Sequence, residues 1–179
     1  ALAAHGANSF RTWRTDNGQQ TGKEVLDQAF ANGLMVMMGI EIARERHGFD
    51  YDNEEEVQKQ LERVKQEVLM YKDHPALLAW GIGNELNLHA NNMKVWNAVN
   101  QISEMIHSID PNHPTTTMLA GIGKREVDYF AEHCTDLDFV CVQMYADIEN
   151  LQTRLADAGY DGPYVVTEWG ATGHWEVPP

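Results

Sequence analysis

The stretch Leu77-Leu78-Ala79-Trp80-Gly81-Ile82-Gly83-Asn84-Glu85 constrains this chain most: an apolar run that carries two glycines and ends in a carboxylate. It reads as a buried strand, whose side chains alternate between faces. Alternation groups Glu85 with Gly83, Gly81 and Ala79, and sets Asn84 with Ile82 and Trp80 on the bulky face. Glycines weaken a strand unless another group approaches the backbone closely or fills the space, as inside a narrow barrel. A second run, Tyr164-Val165-Val166-Thr167-Glu168-Trp169-Gly170, follows the turn Asp161-Gly162-Pro163 and repeats the plan. A strand-end acid paired with a neighbouring Arg or Lys accounts for either glutamate taken singly. The same context twice calls for chemistry.

The remaining sequence supplies strands over 7–13, 34–40, 115–119 and 138–145. Helices fall over 22–32, 54–72, 93–109, 124–134 and 147–158, after the tail of a helix at 1–5. Six strands alternating with five helices predict a parallel sheet with helical crossovers. A doubly wound sheet would concentrate polar residues at one switch point, whereas here Arg11, Glu41, Glu85, Tyr145 and Glu168 end different strands, as in barrel enzymes. A full (β/α)8 TIM barrel has eight strands and about 250 residues. The 179 residues therefore read as one partial barrel domain over 1–179, comprising strands 2 to 7. The missing strands are expected upstream and downstream or from a partner chain, with open edges at the strands ending in Arg11 and Glu168.

A net charge of −14 without any basic run leaves phosphate-backbone binding no electrostatic basis, so no nucleic-acid partner is expected. No apolar stretch of membrane-spanning length occurs, and the amino terminus lacks the regions of a signal peptide. The chain reads as beginning mid-protein, so any targeting signal lies upstream and the compartment is unassigned. Two cysteines, Cys134 and Cys141, are too few for a disulfide framework and are expected as free thiols. Zinc spacing, a Walker loop and a dinucleotide fingerprint are all missing, so neither metal nor cofactor is expected. Glu41, His47 and His89, the best metal set available, lack ligand spacing. The polar loop from Glu41 to Asp52 exceeds the usual connection, and loops of that size are often functional. On strand 7–13, Ser9, Arg11 and Trp13 share a face, making Arg11 either core-facing or functional. On strand 138–145, Phe139, Cys141, Gln143 and Tyr145 share one.

Asp73-His74-Pro75 followed by Trp80 to Glu85, together with Thr167-Glu168-Trp169-Gly170, resembles the retaining glycoside hydrolases of clan A. The likeness is nearest to the catalytic barrel of glycoside hydrolase family 2, home of β-galactosidases, β-glucuronidases and β-mannosidases. Gly6-Ala7-Asn8-Ser9-Phe10-Arg11 is similar to the segment carrying that family's second-strand Arg. The resemblance covers nearly the whole chain. It implies Glu85 as acid/base, Glu168 as nucleophile, Asn84 as a contact to the sugar 2-hydroxyl, Tyr145 as a donor to the nucleophile and Arg11 as the group keeping it ionised. Trp13, Trp169 and Trp175 offer apolar faces to sugar rings or pack in the core.

The implied activity is retaining hydrolysis of an oligosaccharide, polysaccharide or other β-glycoside by double displacement, which needs two carboxyls about 5 to 5.5 Å apart and no metal. Strands four and seven face each other across a barrel, and two close carboxyls do not both ionise cheaply, leaving Glu85 the acid. The loop after Glu85 and the segment Gly173-His174-Trp175-Glu176 depart from galactosidase and glucuronidase signatures, which leaves the sugar open. The competing reading is a catalytically inactive carbohydrate-binding or fold-fragment barrel.

Overall fold

The computed structural model describes residues 1–173. Six strands form one parallel sheet in chain order: β1 (Ser9–Arg11), β2 (Met35–Ile40), β3 (Leu77–Asn84), β4 (Thr115–Ala120), β5 (Val140–Tyr145) and β6 (Tyr164–Gly170). Five helices alternate with them: α1 (Gly22–Ala31), α2 (Glu54–Tyr71), α3 (Lys94–Ile109), α4 (Lys124–His133) and α5 (Leu151–Ala158). This is a partial (β/α)8 barrel. As expected from the strand count, β1 and β6 are the two edges of the sheet, and each ladder joins strands that are successive in the sequence.

Alternation along the strands separates two packed layers. Val36, Met38 and Ile40 of β2 and Trp80 and Ile82 of β3 point outward, where Leu26 of α1, Val64 and Val68 of α2, and Val99, Ile102 and Ile106 of α3 cover them. Each such aliphatic side chain, fully buried, contributes about 1.5–3 kcal/mol. Inside the arc lies a smaller cluster of Met37, Ala79, Met118 and Cys141, with Phe139 against it. A Cβ on Gly81 would sit 2.9 Å from Met118 Cε, so the bare strand face is filled from β4, as a narrow barrel requires. Trp80 keeps its polar edge paired in the outer layer, its Nε1 donating to Asp110 Oδ2 at 2.8 Å.

Local signals set the helix starts. Thr21 and Glu24 form a reciprocal capping box at α1, and the Asn53 side chain accepts the Glu56 N–H at the start of α2. Several finer expectations are corrected. The first segment is only a 3-10 turn over Ala3–His5, and β1 is shorter than 7–13, although Thr12 N still donates to Met37 O at 3.0 Å. Phe30 and Leu69 are exposed, because Leu26 and Ala29 on α1 and Val64 and Val68 on α2 face the sheet. Phe30 meets the His74 ring edge-on at the surface. Both cysteines are free and buried. Among the described residues no helix is long and apolar enough to cross a membrane.

Candidate active site

The carboxyl end of β3 departs from regular alternation, and the departure builds the site. Gly83 takes φ 72, and the β3–β4 register shifts between Gly81 and Asn84. The expected face of Asn84 is therefore wrong: the extra residue turns its side chain into the arc instead of leaving it with Trp80 and Ile82. Glu85 follows at φ 53, a left-handed backbone that residues with a Cβ avoid and that clusters at functional sites. Its N–H nevertheless donates to Met118 O at 2.9 Å. Two consecutive side chains thus reach one cleft.

A second register shift, between Val142 and Gln143, places Glu168 opposite Gln143 and Trp169 opposite Met144. Glu168 collects donors from several strand ends. Arg11 Nη2 forms an ion pair with Oε1, which also accepts from Gln143 Nε2 at 3.0 Å and Trp13 Nε1 at 3.2 Å. Tyr145 Oη donates to Oε2 at 2.6 Å. Hydrogen bonds to the charged form of a carboxylate favour that form. Among the described residues, by contrast, no hydrogen bond reaches the Glu85 carboxyl.

Arg11 spreads its fork over two further acceptors, Thr167 O at 3.2 Å and Asn84 Oδ1 at 3.1 Å. It thereby bridges the two sheet edges. Burial pushes the guanidinium below its ordinary value, with the charge of Glu85 among the groups that pull it back up, and it stays a cation. Because Arg11 only donates, the Asn84 atom facing it must be the oxygen. Gln143 Nε2 meets that same oxygen at 2.8 Å, which leaves the Asn84 amide N–H2 for a ligand.

Arg11 lies beneath a cleft of about 630 Å³ lined by Trp13, Asn84, Glu85, Tyr145 and Glu168, with Arg14, Glu41, Arg44 and Arg46 on the β2 side. A larger hollow of about 740 Å³ behind the β2–α2 loop shares Glu41 and Arg44 but holds neither Glu85 nor Glu168, and size alone does not nominate it. The cleft joins one carboxylate held among donors with one carboxyl that accepts no hydrogen bond among the described residues.

Six of the seven expected site residues, Arg11, Trp13, Asn84, Glu85, Tyr145 and Glu168, are brought together. Trp169 is not: it occupies the opposite face of β6 from Glu168 and is 73% exposed. Trp175 lies outside the described residues, as do His174 and Glu176. Glu41, His47 and His89 do not converge, and among the described residues no three His, Cys, Asp or Glu side chains are gathered to hold a metal. Three residues were missed. Gln143 shared a predicted face with Tyr145, which was signal enough to find it. Arg44 and Arg46 act on main-chain carbonyls, donating to Asn84 O at 3.3 Å and Glu85 O at 3.1 Å, and only the length of their loop pointed to them.

Comparison with known proteins finds the same fold. The chain is 32% identical over 124 residues to a mannan endo-1,4-beta-mannosidase A of Podospora anserina, a match covering 68% of this chain and 29% of that protein. Its fold superposes on a beta-D-glucuronidase from Dictyoglomus thermophilum with a TM-score of 0.69 at 21% identity, covering 93% of this chain and 30% of the other. An endo-1,4-beta-mannanase from Eisenia fetida gives a TM-score of 0.65 at 16% identity, covering 93% and 66%. The chain thus spans under a third of the length of the first two. The model of the glycosyl hydrolases family 2 TIM barrel domain matches residues 2–174, and the chain belongs to that family.

Proposed function

We propose that this chain is the catalytic barrel domain of a retaining β-glycoside hydrolase, with Glu168 as nucleophile and Glu85 as general acid and base. The observation that carries the reading is the unequal treatment of two carboxyls in one cleft: four donors hold Glu168, and among the described residues none binds Glu85. In the first step Glu168 attacks the anomeric carbon as the glycosidic bond breaks, and the leaving oxygen takes the Glu85 proton. In the second, Glu85 takes a proton from water, whose oxygen displaces Glu168 from the sugar. Oε2, which among the described residues accepts from Tyr145 alone, is the better placed attacking atom. The Asn84 amide donates to the 2-hydroxyl, and Trp13, 62% exposed at the mouth, offers its face to a sugar ring. Membership of the family and the names of the relatives support β-mannosidic or β-glucuronidic linkages as the first to try.

The open sheet favours a second reading for these 179 residues taken alone: a barrel fragment that binds without turnover. On our proposal two further strands, from the rest of the protein or a partner chain, close the gap between β1 and β6.

The deciding experiment uses the intact protein, a panel of aryl β-glycosides and added azide. Glu168→Ala should give the inverted glycosyl azide. Glu85→Ala should give the retained azide and lose about 100- to 10,000-fold on poor leaving groups, with little loss on good ones. Products of the opposite configurations would exchange the two roles, and full activity in both variants would end the glycosidase reading.

A further inference from the structure

Three consecutive residues in the β2–α2 loop, Arg44, Glu45 and Arg46, all reach across to the end of β3 and the segment that follows it. The two arginines hold the Asn84 and Glu85 carbonyls, while Glu45 Oε2 accepts the N–H groups of Asn91 at 2.8 Å and Asn92 at 3.0 Å. The β2–β3 ladder ends at the pair Ile40 and Ile82, so the carbonyls of residues 84 and 85 have no β2 backbone beside them. Backbone acceptors withdrawn from water need partners: Leu88 N donates to Glu85 O at 3.2 Å from within the turn, and on the β2 side guanidinium groups take the place of the missing strand. The same segment carries Glu85 in its left-handed conformation. The loop itself is tied to its own helix: Ala43 N donates to Gln60 Oε1 at 2.6 Å, and Tyr51 Oη donates to Ala43 O at 2.5 Å.

We infer that Arg44-Glu45-Arg46 is a positioning clasp for Glu85. It grips the turn before and after the carboxyl, fixes the backbone conformation that aims it into the cleft, and so sets the efficiency of proton transfer without touching the reacting atoms. The inference rests on Glu85 being the acid and base proposed above. Arginine suits the task because its charge is permanent and its fork planar, so a lysine at position 46 would restore the charge but not the geometry.

Two measurements on the intact protein test it, using Arg46→Met, Arg46→Lys and Glu45→Gln. The first needs no substrate. Hydrogen exchange should quicken about tenfold across residues 85–92 in Arg46→Met and Glu45→Gln, with protection in β2 and α2 unchanged. Unchanged protection across 85–92 would overturn the clasp. The second compares kcat/KM on phenyl and 2,4-dinitrophenyl β-glycosides of the sugar that the protein hydrolyses. Misplacing the acid should cost Arg46→Met about 30-fold or more on the phenyl glycoside and under about threefold on the dinitrophenyl one, with partial recovery in Arg46→Lys. Equal loss on both would mark the loop as merely structural and refute the inference. If Glu85→Ala itself shows no dependence on the leaving group, the assignment of Glu85 falls, and the exchange data still judge the clasp separately.

Discussion

Replacing Arg11 tests the electrostatic centre of the site through stability alone. The guanidinium pairs with Glu168 and also bonds Thr167 O and Asn84 Oδ1, and the two charged side chains are only 10% and 19% exposed. Removing one partner of a buried pair costs about 3–5 kcal/mol, because the other charge stays behind unpaired. Glu168 keeps Trp13, Gln143 and Tyr145, and Asn84 keeps Gln143, so Arg11→Met belongs at the lower end, about 3 kcal/mol. For a domain of this size that lowers Tm by about 6 to 12 °C. Glu168→Gln, a neutral isostere that strands Arg11, should cost about 2 kcal/mol. If the two residues act on each other, the double variant should lose about 3 kcal/mol rather than the sum, a coupling near 2 kcal/mol. Urea denaturation of the four proteins of this cycle, followed by tryptophan fluorescence, measures it. Single effects that add to within about 0.5 kcal/mol would show the pair to be uncoupled and refute the reasoning.

Gly39→Ala should destabilise by about 1–3 kcal/mol and move Trp13, because its Cβ would sit 2.6 Å from the Trp13 carbonyl carbon; an unchanged Tm would be incompatible with that approach. Burial pushes Tyr51 and Cys134 up to about 12 and Cys141 to about 11, from ordinary values of 10.0 and 9.0. Above pH 9 the unfolded chain sheds protons that the folded one keeps, so their stabilisation is intact below pH 9 and declines through pH 9 to 12. Denaturation midpoints that stay flat across that window would contradict the burial of these groups, as would fast reaction of either thiol with a disulfide reagent in the folded protein at pH 8. Tyr145→Phe, which removes the donor to Glu168 Oε2, should lower kcat/KM about 10- to 150-fold in the intact protein, measured on the aryl glycoside it prefers. The isolated 179-residue chain should turn over at least about 100-fold more slowly than its parent, because the shell around the cleft is incomplete; equal rates would show that the missing strands contribute nothing.

The parallel order of six strands was legible because the pattern switches cleanly between periods of 2 and 3.6, and because Pro and Gly punctuate the switches. The inward set Cys141, Gln143 and Tyr145 followed from the same alternation. It failed at Asn84 because a bulge at Gly83 inserts one residue, and a second glycine in a strand does not announce which of the two will bend. Trp169 followed Glu168 by one position in a motif, and adjacency in the chain was taken for adjacency in space, whereas strand geometry puts neighbours on opposite faces. Arg44 and Arg46 could not be singled out within their long loop for a different reason. A side chain that bonds a main-chain carbonyl leaves no complementary residue at the other end of the contact, so no pairing pattern exists to be read.

The bridge between the sheet edges bears on the order in which the molecule assembles. Every ladder joins strands successive in the chain, so the arc grows by closing short loops, whereas Arg11 and Glu168 are 157 positions apart. Closing a loop of that length costs about 1.5 kcal/mol more chain entropy than closing one of roughly 30 residues. Contacts of such high sequence separation carry the largest closure cost, so the charged centre of the cleft is expected to form last, after the sheet that carries it. Substitutions there should then speed unfolding at nearly constant folding rate, so that the cleft would govern how long the native arc persists rather than how quickly it is found.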